Sequence, residues 1–130
     1  MSDIDWTALT RAASDARDRA YAPYSGYRVG AALLGEDGSV HVGANVENAS
    51  YGLSLCAERA ALAAAVVAGV RRFRGLVVVT GGPTPGTPCG MCRQALAELG
   101  PPFEVRCRTP EGAEVVTRVD ALLPLPFRGP

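Results

Sequence analysis

Two short cysteine motifs, each at the start of a helix-forming stretch, constrain this chain more than any other feature. The first is Cys-Ala-Glu at 56–58, which opens an alanine-rich run, and the second is Pro-Cys-Gly-Met-Cys at 88–92. Cys89 and Cys92 stand one helical turn apart, so both thiols lie on one face of their helix. Helix N-termini also favour negative charge, which stabilises thiolate. Together with Cys56, the chain therefore offers three thiolates that can face one point.

A catalytic zinc site is the preferred interpretation of these thiolates. Structural zinc sites usually have four protein ligands, whereas catalytic sites have three and keep one position open for water. The other candidate ligands are Cys107 in a predicted strand and His41 in a predicted hairpin, and neither has ligand-like spacing to the three cysteines. A Cys-x-x-Cys pair alone is more often a structural or redox site, and catalysis is favoured only because Cys-x-Glu accompanies it.

The two residues that follow Ala57 predict supporting roles beside the metal. Glu58 does not share a helix face with Cys56, because positions i and i+2 point in different directions. We expect its carboxylate to reach over the metal and act as base and then acid toward a water whose pKa zinc lowers to about 7. Arg59, one turn after Cys56, is a candidate to donate a hydrogen bond to a ligand sulfur. Its alternative role is that of a solvated helix charge.

The hydrophobic pattern predicts an α/β fold with the element order α-β-β-α-β-α-β-β. Hairpins pair their strands antiparallel and strand–helix–strand crossovers place them parallel, so we expect a mixed five-stranded sheet with helices on both faces, an α/β/α arrangement of three layers. The predicted helices cover 5–20, 56–68, 89–99 and 120–123, and the predicted strands cover 27–34, 40–45, 75–80, 103–108 and 113–116.

Composition narrows the class of protein further. The 130 residues are 48% hydrophobic and predict a single domain over 1–130. Lys+Arg and Asp+Glu both number 13, which gives no electrostatic reason to expect nucleic-acid binding. We find no apolar run of about 18 residues and no signal-peptide pattern, so we expect no membrane contact and a cytoplasmic location. Cysteines stay reduced there, which favours metal binding or catalysis over disulfides.

Taken in order, these motifs make the chain resemble the cytidine deaminase family in its small homotetrameric form. Cys-x-Glu followed by Pro-Cys-x-x-Cys is the signature of zinc nucleobase deaminases. The resemblance implies the cytidine-deaminase-like fold, one Zn²⁺ per subunit and a homotetramer. It also implies hydrolytic deamination of cytidine and 2′-deoxycytidine to uridine and 2′-deoxyuridine with release of ammonia, as in pyrimidine salvage. The likeness covers nearly the whole chain, with further motifs at 21–25, 29–33, 45–51, 93–94 and 122–124.

The resemblance also implies residues that contact the substrate. Asn45 and Glu47 would hold the ribose hydroxyls, and Tyr27 would pack on the pyrimidine where the family typically has phenylalanine. From the residues alone, an Asn–Glu pair leaving a strand can face one diol, but more often forms a turn or cap. Phe127 would reach a neighbouring subunit's active site, or instead close the core of its own chain.

Two alternative functions remain open at this point. Tyr27 adds a hydroxyl to the expected pocket, so the substrate could be a modified cytosine such as blasticidin S. A structural zinc module that binds protein or RNA would need four protein ligands, and Glu58 together with the neutral charge argues against it.

Overall fold

A five-stranded mixed sheet lies at the centre of the structure, a computed structural model that describes residues 3–130. The strands are β1 (Val29–Gly35), β2 (Val40–Ala44), β3 (Phe73–Thr80), β4 (Glu104–Arg108) and β5 (Glu114–Arg118). They are ordered β2-β1-β3-β4-β5 across the sheet. The β3–β4 pair is parallel and the other three pairs are antiparallel, which confirms the predicted mixture.

Helices cover both faces of this sheet and produce the three predicted layers. The helices are α1 (Trp6–Arg17), α2 (Ala57–Val67), α3 (Gly90–Ala97) and the short α4 (Val119–Leu122), with a 3₁₀ turn at Tyr51–Leu53. On one face, Leu9 and Ala13 of α1 pack against Ala32, Val77 and Val79 of the sheet. On the other face, α2 and α3 pack against the opposite side chains of β1, β3 and β4. β3 is therefore buried on both faces, as its unbroken apolar run predicts.

Gly43 in β2 determines how closely α2 lies against the sheet. A Cβ atom at this glycine would overlap the Ala57 carbonyl oxygen and the Ala61 amide nitrogen. The facing side chains of the helix are alanines, and Ala57, Ala61 and Ala65 are fully buried. Small residues on both sides thus bring the helix backbone into direct contact with the strand, which fixes the start of α2 over this edge of the sheet.

Several element ends differ from the periodicity prediction. α1 ends at Arg17 and not near residue 20, while Cys56 and Cys89 are N-cap residues in extended conformation and not helical residues. Tyr27 lies before β1 and not inside it. Its carbonyl accepts a hydrogen bond from the Asn45 side-chain amide, which takes the place of a strand partner. Within residues 3–130, no helix combines the length and apolarity needed to cross a membrane.

Candidate active site and metal centre

The three cysteines come together where the first turns of α2 and α3 meet. The Sγ atoms of Cys56 and Cys89 are 3.9 Å apart, and those of Cys89 and Cys92 are 3.5 Å apart. All three sulfurs lie within 4.8 Å of one another. Sulfur ligands at about 2.3 Å from a tetrahedral zinc ion lie roughly 3.8 Å from each other. The cluster therefore has the spacing and the donor chemistry that zinc requires.

No fourth protein ligand joins this cluster among residues 3–130. Cys107 is buried in the core on β4, and the Nε2 atom of His41 lies 2.8 Å from the Ser39 hydroxyl oxygen on the first hairpin. A three-thiol set of this kind leaves a coordination position for a small molecule, which is the pattern of catalytic and not structural zinc sites.

The thiols strongly influence one another's ionisation. A hydrogen bond from Cys92, with a further one from Arg59, lowers the pKa of Cys56 to about 5. The same Cys56 partner, together with burial, raises the pKa of Cys92. The Arg59 Nη2 atom lies 3.5 Å from the Cys56 sulfur, while its Nε atom is buried without a hydrogen-bond partner among the described residues. The guanidinium thus places a positive charge beside the sulfurs and offsets part of their negative charge.

Glu58 lies in the first turn of α2, where it borders the same cavity as the cysteines. Its side chain is 5% exposed, and it lines a cavity of about 190 Å³ together with Cys56 and Cys89. Burial raises the pKa of Glu58, and the negative charge of Cys56 raises it further. A carboxylate in this environment holds a proton more readily than an exposed one, which suits a group that both accepts and returns protons.

The remaining walls of the cavity come from separate parts of the chain. Tyr27, which is 47% exposed, stands at the rim next to Asn45. The floor and the far wall are formed by β3 and by the loop that follows it; their cavity-lining residues are Val78, Thr80, Gly86 and Thr87. Sequence reasoning missed Thr80 and Gly86, because only the folded chain brings the end of β3 near Tyr27.

Asn45 and Glu47 are both engaged with the backbone of the segment before β1. Asn45 Oδ1 accepts from the Val29 amide at 2.8 Å, and its Nδ2 donates to the Tyr27 carbonyl at 2.8 Å. Glu47 accepts from the amides of Tyr24 and Ser25 and from the Ser25 hydroxyl. These bonds, that of the Ser25 hydroxyl above all, lower the pKa of Glu47. Asn45 borders the cavity, whereas Glu47 is not among its lining residues.

Comparison with known proteins identifies this arrangement. The model of the family described as "Cytidine and deoxycytidylate deaminase zinc-binding region" matches residues 5–106. The chain belongs to the cytidine and deoxycytidylate deaminase family. It is similar to the cytidine deaminase of Halalkalibacterium halodurans, with 53% identity over 98 residues that make up 75% of this chain and 74% of that protein. The cytidine deaminase of Mycobacterium tuberculosis strain H37Rv is 49% identical over 100 residues, or 77% and 75% of the two chains.

The similarity to solved structures extends over almost the whole chain. The 1.6 Å crystal structure of cytidine deaminase from Burkholderia pseudomallei matches with a TM-score of 0.91 and 50% identity, covering 95% of this chain and 100% of that one. The predicted family and fold are thereby confirmed. As a member of the deaminase family, the chain is an enzyme that catalyses zinc-dependent hydrolytic deamination.

In this deaminase, Arg93 holds the segment that leads into the second cysteine motif. Its guanidinium donates to the Pro88 carbonyl at 2.7 Å, to the Leu122 carbonyl at 3.0 Å and to the Thr87 hydroxyl at 3.1 Å. The three bonds join the loop before Cys89 to the C-terminal segment. The sequence signal for this role was only its position directly after the motif.

The Gln94 side chain pairs with the backbone of Phe127. Its Nε2 donates to the Phe127 carbonyl at 2.8 Å, and its Oε1 accepts from the Phe127 amide at 3.0 Å. The residue is nevertheless 73% exposed and does not line the cavity of its own chain. Phe127 therefore does not close the core of its own chain, which was one of the two roles considered for it.

Proposed function

We propose that this enzyme deaminates cytidine and 2′-deoxycytidine to uridine and 2′-deoxyuridine, releasing ammonia, in pyrimidine salvage. The observation that carries the proposal is a single cavity bordered by Cys56 and Cys89 of the three-cysteine site and by a buried carboxylate, Glu58. These are the two groups that hydrolysis of an aromatic amine requires, namely a site that activates water and a carrier for its protons.

Cys56, Cys89 and Cys92 are the proposed zinc ligands, and each subunit takes one ion. Zinc, when bound, supplies a Lewis acid that makes water nucleophilic at neutral pH. Arg59 donates toward the Cys56 sulfur, which reduces the negative charge that three thiolates place on the site.

Glu58 is the proposed proton carrier for the whole reaction. Its carboxylate accepts a proton from the attacking water as the oxygen bonds to C4, and it protonates N3 of the ring. It then takes the second proton of the added hydroxyl and delivers it to the 4-amino group. The C4–N bond breaks, ammonia leaves, and the C4 carbonyl of uridine remains. Burial, which raises the pKa of Glu58, supports this exchange, because the carboxylate then takes up a proton more readily than an exposed one.

Nucleoside recognition is assigned to the rim of the cavity. The Asn45 side-chain amide donates one of its two hydrogens to the Tyr27 carbonyl. The second amide hydrogen is available to a ribose hydroxyl. Glu47 stays ionised, and a carboxylate oxygen can accept more than one hydrogen bond, so it remains a candidate partner for the other hydroxyl. The Tyr27 ring, which borders the cavity, packs against the pyrimidine.

The active enzyme is proposed to be a cytoplasmic homotetramer of a single-domain chain spanning 1–130. Exposed apolar side chains support self-association, and Phe127 is one of them. Two hydrogen bonds between the Gln94 side chain and the Phe127 backbone hold this residue in its exposed position. In the tetramer Phe127 reaches the active site of a neighbouring subunit. Analytical ultracentrifugation of the wild type and of Phe127→Ala, combined with KM measurements, tests both parts of this assignment.

A direct assay tests the proposed activity. Purified protein is mixed with cytidine, and loss of its ultraviolet absorbance is followed before and after removal of the metal with a strong chelator. We expect turnover that disappears on metal removal and returns with added Zn²⁺. Parallel rates on 2′-deoxycytidine, free cytosine and blasticidin S define the substrate. A higher kcat/KM for blasticidin S than for either nucleoside would replace the proposed substrate with a modified cytosine.

A further inference from the structure

One wall of the cavity contains a contact that the metal chemistry does not explain. The Tyr27 hydroxyl lies against the backbone of Gly86, so close that a Cβ atom built on the glycine would be 2.5 Å from this oxygen. Both residues border the cavity shared by Glu58 and Cys56. Gly86 does not have a positive φ, so alanine is opposed there by this contact and, to a lesser degree, by the Thr80 Cγ2 and Oγ1 atoms at 3.1 and 3.3 Å, and not by backbone conformation.

The backbone of Gly86 is held in place from both sides. Its amide donates to the Thr80 hydroxyl at 2.8 Å, and Thr80 is only 3% exposed at the end of β3. On the other side, Arg93 binds both the Thr87 hydroxyl and the Pro88 carbonyl. The loop therefore cannot easily retreat from the Tyr27 hydroxyl.

The backbone of Tyr27 is held equally well. Its amide donates to the Ser25 hydroxyl at 3.0 Å, and its carbonyl accepts from the Asn45 amide at 2.8 Å. Only the two side-chain torsions of the ring remain free to change. The Cβ atom of an alanine at 86 must therefore displace the ring, whereas the Thr80 side chain at 3.1 Å has to shift by only a few tenths of an ångström. The space beside the ring is the cavity.

We propose that Gly86 and the Tyr27 hydroxyl form a matched pair that sets the width of the nucleoside pocket, with Thr80 as the residue that positions Gly86. The inference rests on the proposed function, since it takes this cavity as the place where the pyrimidine ring binds. The hydroxyl occupies the volume that a side chain at position 86 would fill. A larger residue at 86 is then compatible with substrate binding only when the hydroxyl is absent.

A double-mutant cycle on the zinc-loaded enzyme tests the pairing, using Gly86→Ala, Tyr27→Phe and both together. The measurements are kcat and KM for cytidine, the Kd of uridine by calorimetry, zinc content and melting temperature. One misplaced methyl group in a substrate pocket changes recognition by about tenfold or more, so we expect Gly86→Ala to raise KM and the uridine Kd by at least that factor. Because Glu58 and the thiols are unaffected, kcat should remain within about threefold. In the double variant, KM and Kd should return to within about threefold of those of Tyr27→Phe alone.

Gly52→Ala is the matched control, because a Cβ atom at Gly52 meets no atom within 4 Å and the residue is not among those lining the cavity. Its KM should equal that of the wild type. The pairing is overturned if Gly86→Ala leaves KM and Kd unchanged, if the increase persists in full without the Tyr27 hydroxyl, or if the double variant fails to fold. Recovery of folding in the double variant, should Gly86→Ala alone be unstable, supports it.

The wild-type measurements separate this inference from the proposed function. A wild-type enzyme that neither deaminates cytidine nor binds uridine overturns the proposed function and, with it, the pocket assignment. An active wild type with a normal Gly86→Ala variant overturns the pairing alone.

Discussion

The two ends of the catalytic cavity are built in different ways. At the metal end, the cysteines and Glu58 belong to two local motifs, and each motif sits at the first turn of a helix. At the opposite wall, Tyr27, Asn45 and Gly86 come from three separate segments. A side-chain-to-backbone hydrogen bond joins Asn45 to Tyr27, and another holds Gly86 to Thr80 at the end of β3. The chemistry therefore depends on short-range geometry, whereas the fit of the substrate depends on long-range packing.

This difference implies two kinds of response to mutation. A change at the metal end removes a zinc ligand or the proposed proton carrier, and we expect no neighbouring residue to replace either one. A change at the wall shifts the position of a side chain and alters substrate affinity by degrees. Metal-end variants should thus lose kcat almost completely, and wall variants should mainly raise KM.

Removal of a thiol ligand should have the largest effect. Cys92→Ala takes away a fully buried ligand, and we expect loss of stoichiometric zinc, turnover below detection and a lower melting temperature, because metal binding is coupled to folding. Elemental analysis, the cytidine assay and thermal unfolding measure the three quantities. Cys107→Ala is the matched control: it also truncates a fully buried cysteine but should keep zinc. Equal zinc loss in both variants would contradict the ligand assignment.

Replacement of Glu58, the proposed proton carrier, should have the second largest effect. Glu58→Gln keeps the shape of the side chain but cannot exchange protons, so kcat should fall by about 10²–10⁴-fold with zinc still bound. Steady-state kinetics and zinc analysis on the same preparation decide the point. Glu111→Gln, at an exposed turn, should have wild-type kinetics. Turnover of Glu58→Gln near the wild-type rate would exclude the carrier role.

The same contrast explains what could be predicted from the sequence. The pairing of Cys89 with Cys92 followed from helix periodicity, and their grouping with Cys56 followed from the pattern of the two motifs. The mixed sheet followed from hairpin and crossover rules. The contact between Tyr27 and Gly86 left no local pattern, because it depends on where the end of β3 meets the segment before β1. The two hydrogen bonds of the Asn45 side chain could not be predicted from the sequence either, since both partners lie in a distant segment.

Asn45 at the wall should show the graded response. Asn45→Ala leaves the amide of the buried Val29 without its partner, which should cost about 1–3 kcal/mol of unfolding free energy, and KM for cytidine should rise. Denaturant unfolding and steady-state kinetics give the two values. Asn45→Asp keeps an acceptor for Val29 but loses the donor to Tyr27, so it should retain more stability than alanine while KM still rises. If an Asn45 variant lost as much kcat as Glu58→Gln, the proposed difference between the metal end and the opposite wall of the cavity would be wrong.

Thiol reactivity should separate the metal end from the core without an activity measurement. All four cysteines are free thiols, and burial, above all, raises the pKa of Cys107 to about 11. A thiol with that pKa is almost entirely protonated at neutral pH and reacts slowly, because the thiolate is the nucleophile. With zinc bound, a disulfide reagent should modify none of the four in the native enzyme, since the three ligands are protected. After chelation Cys56, whose pKa lies at about 5, and the exposed Cys89 should react first. Cys92 should react more slowly, because it is buried and its pKa is raised, and Cys107 should follow only in denaturant. Modification of Cys107 in the native, zinc-loaded enzyme would mean that the core opens readily and that the rigid sheet does not protect this side chain.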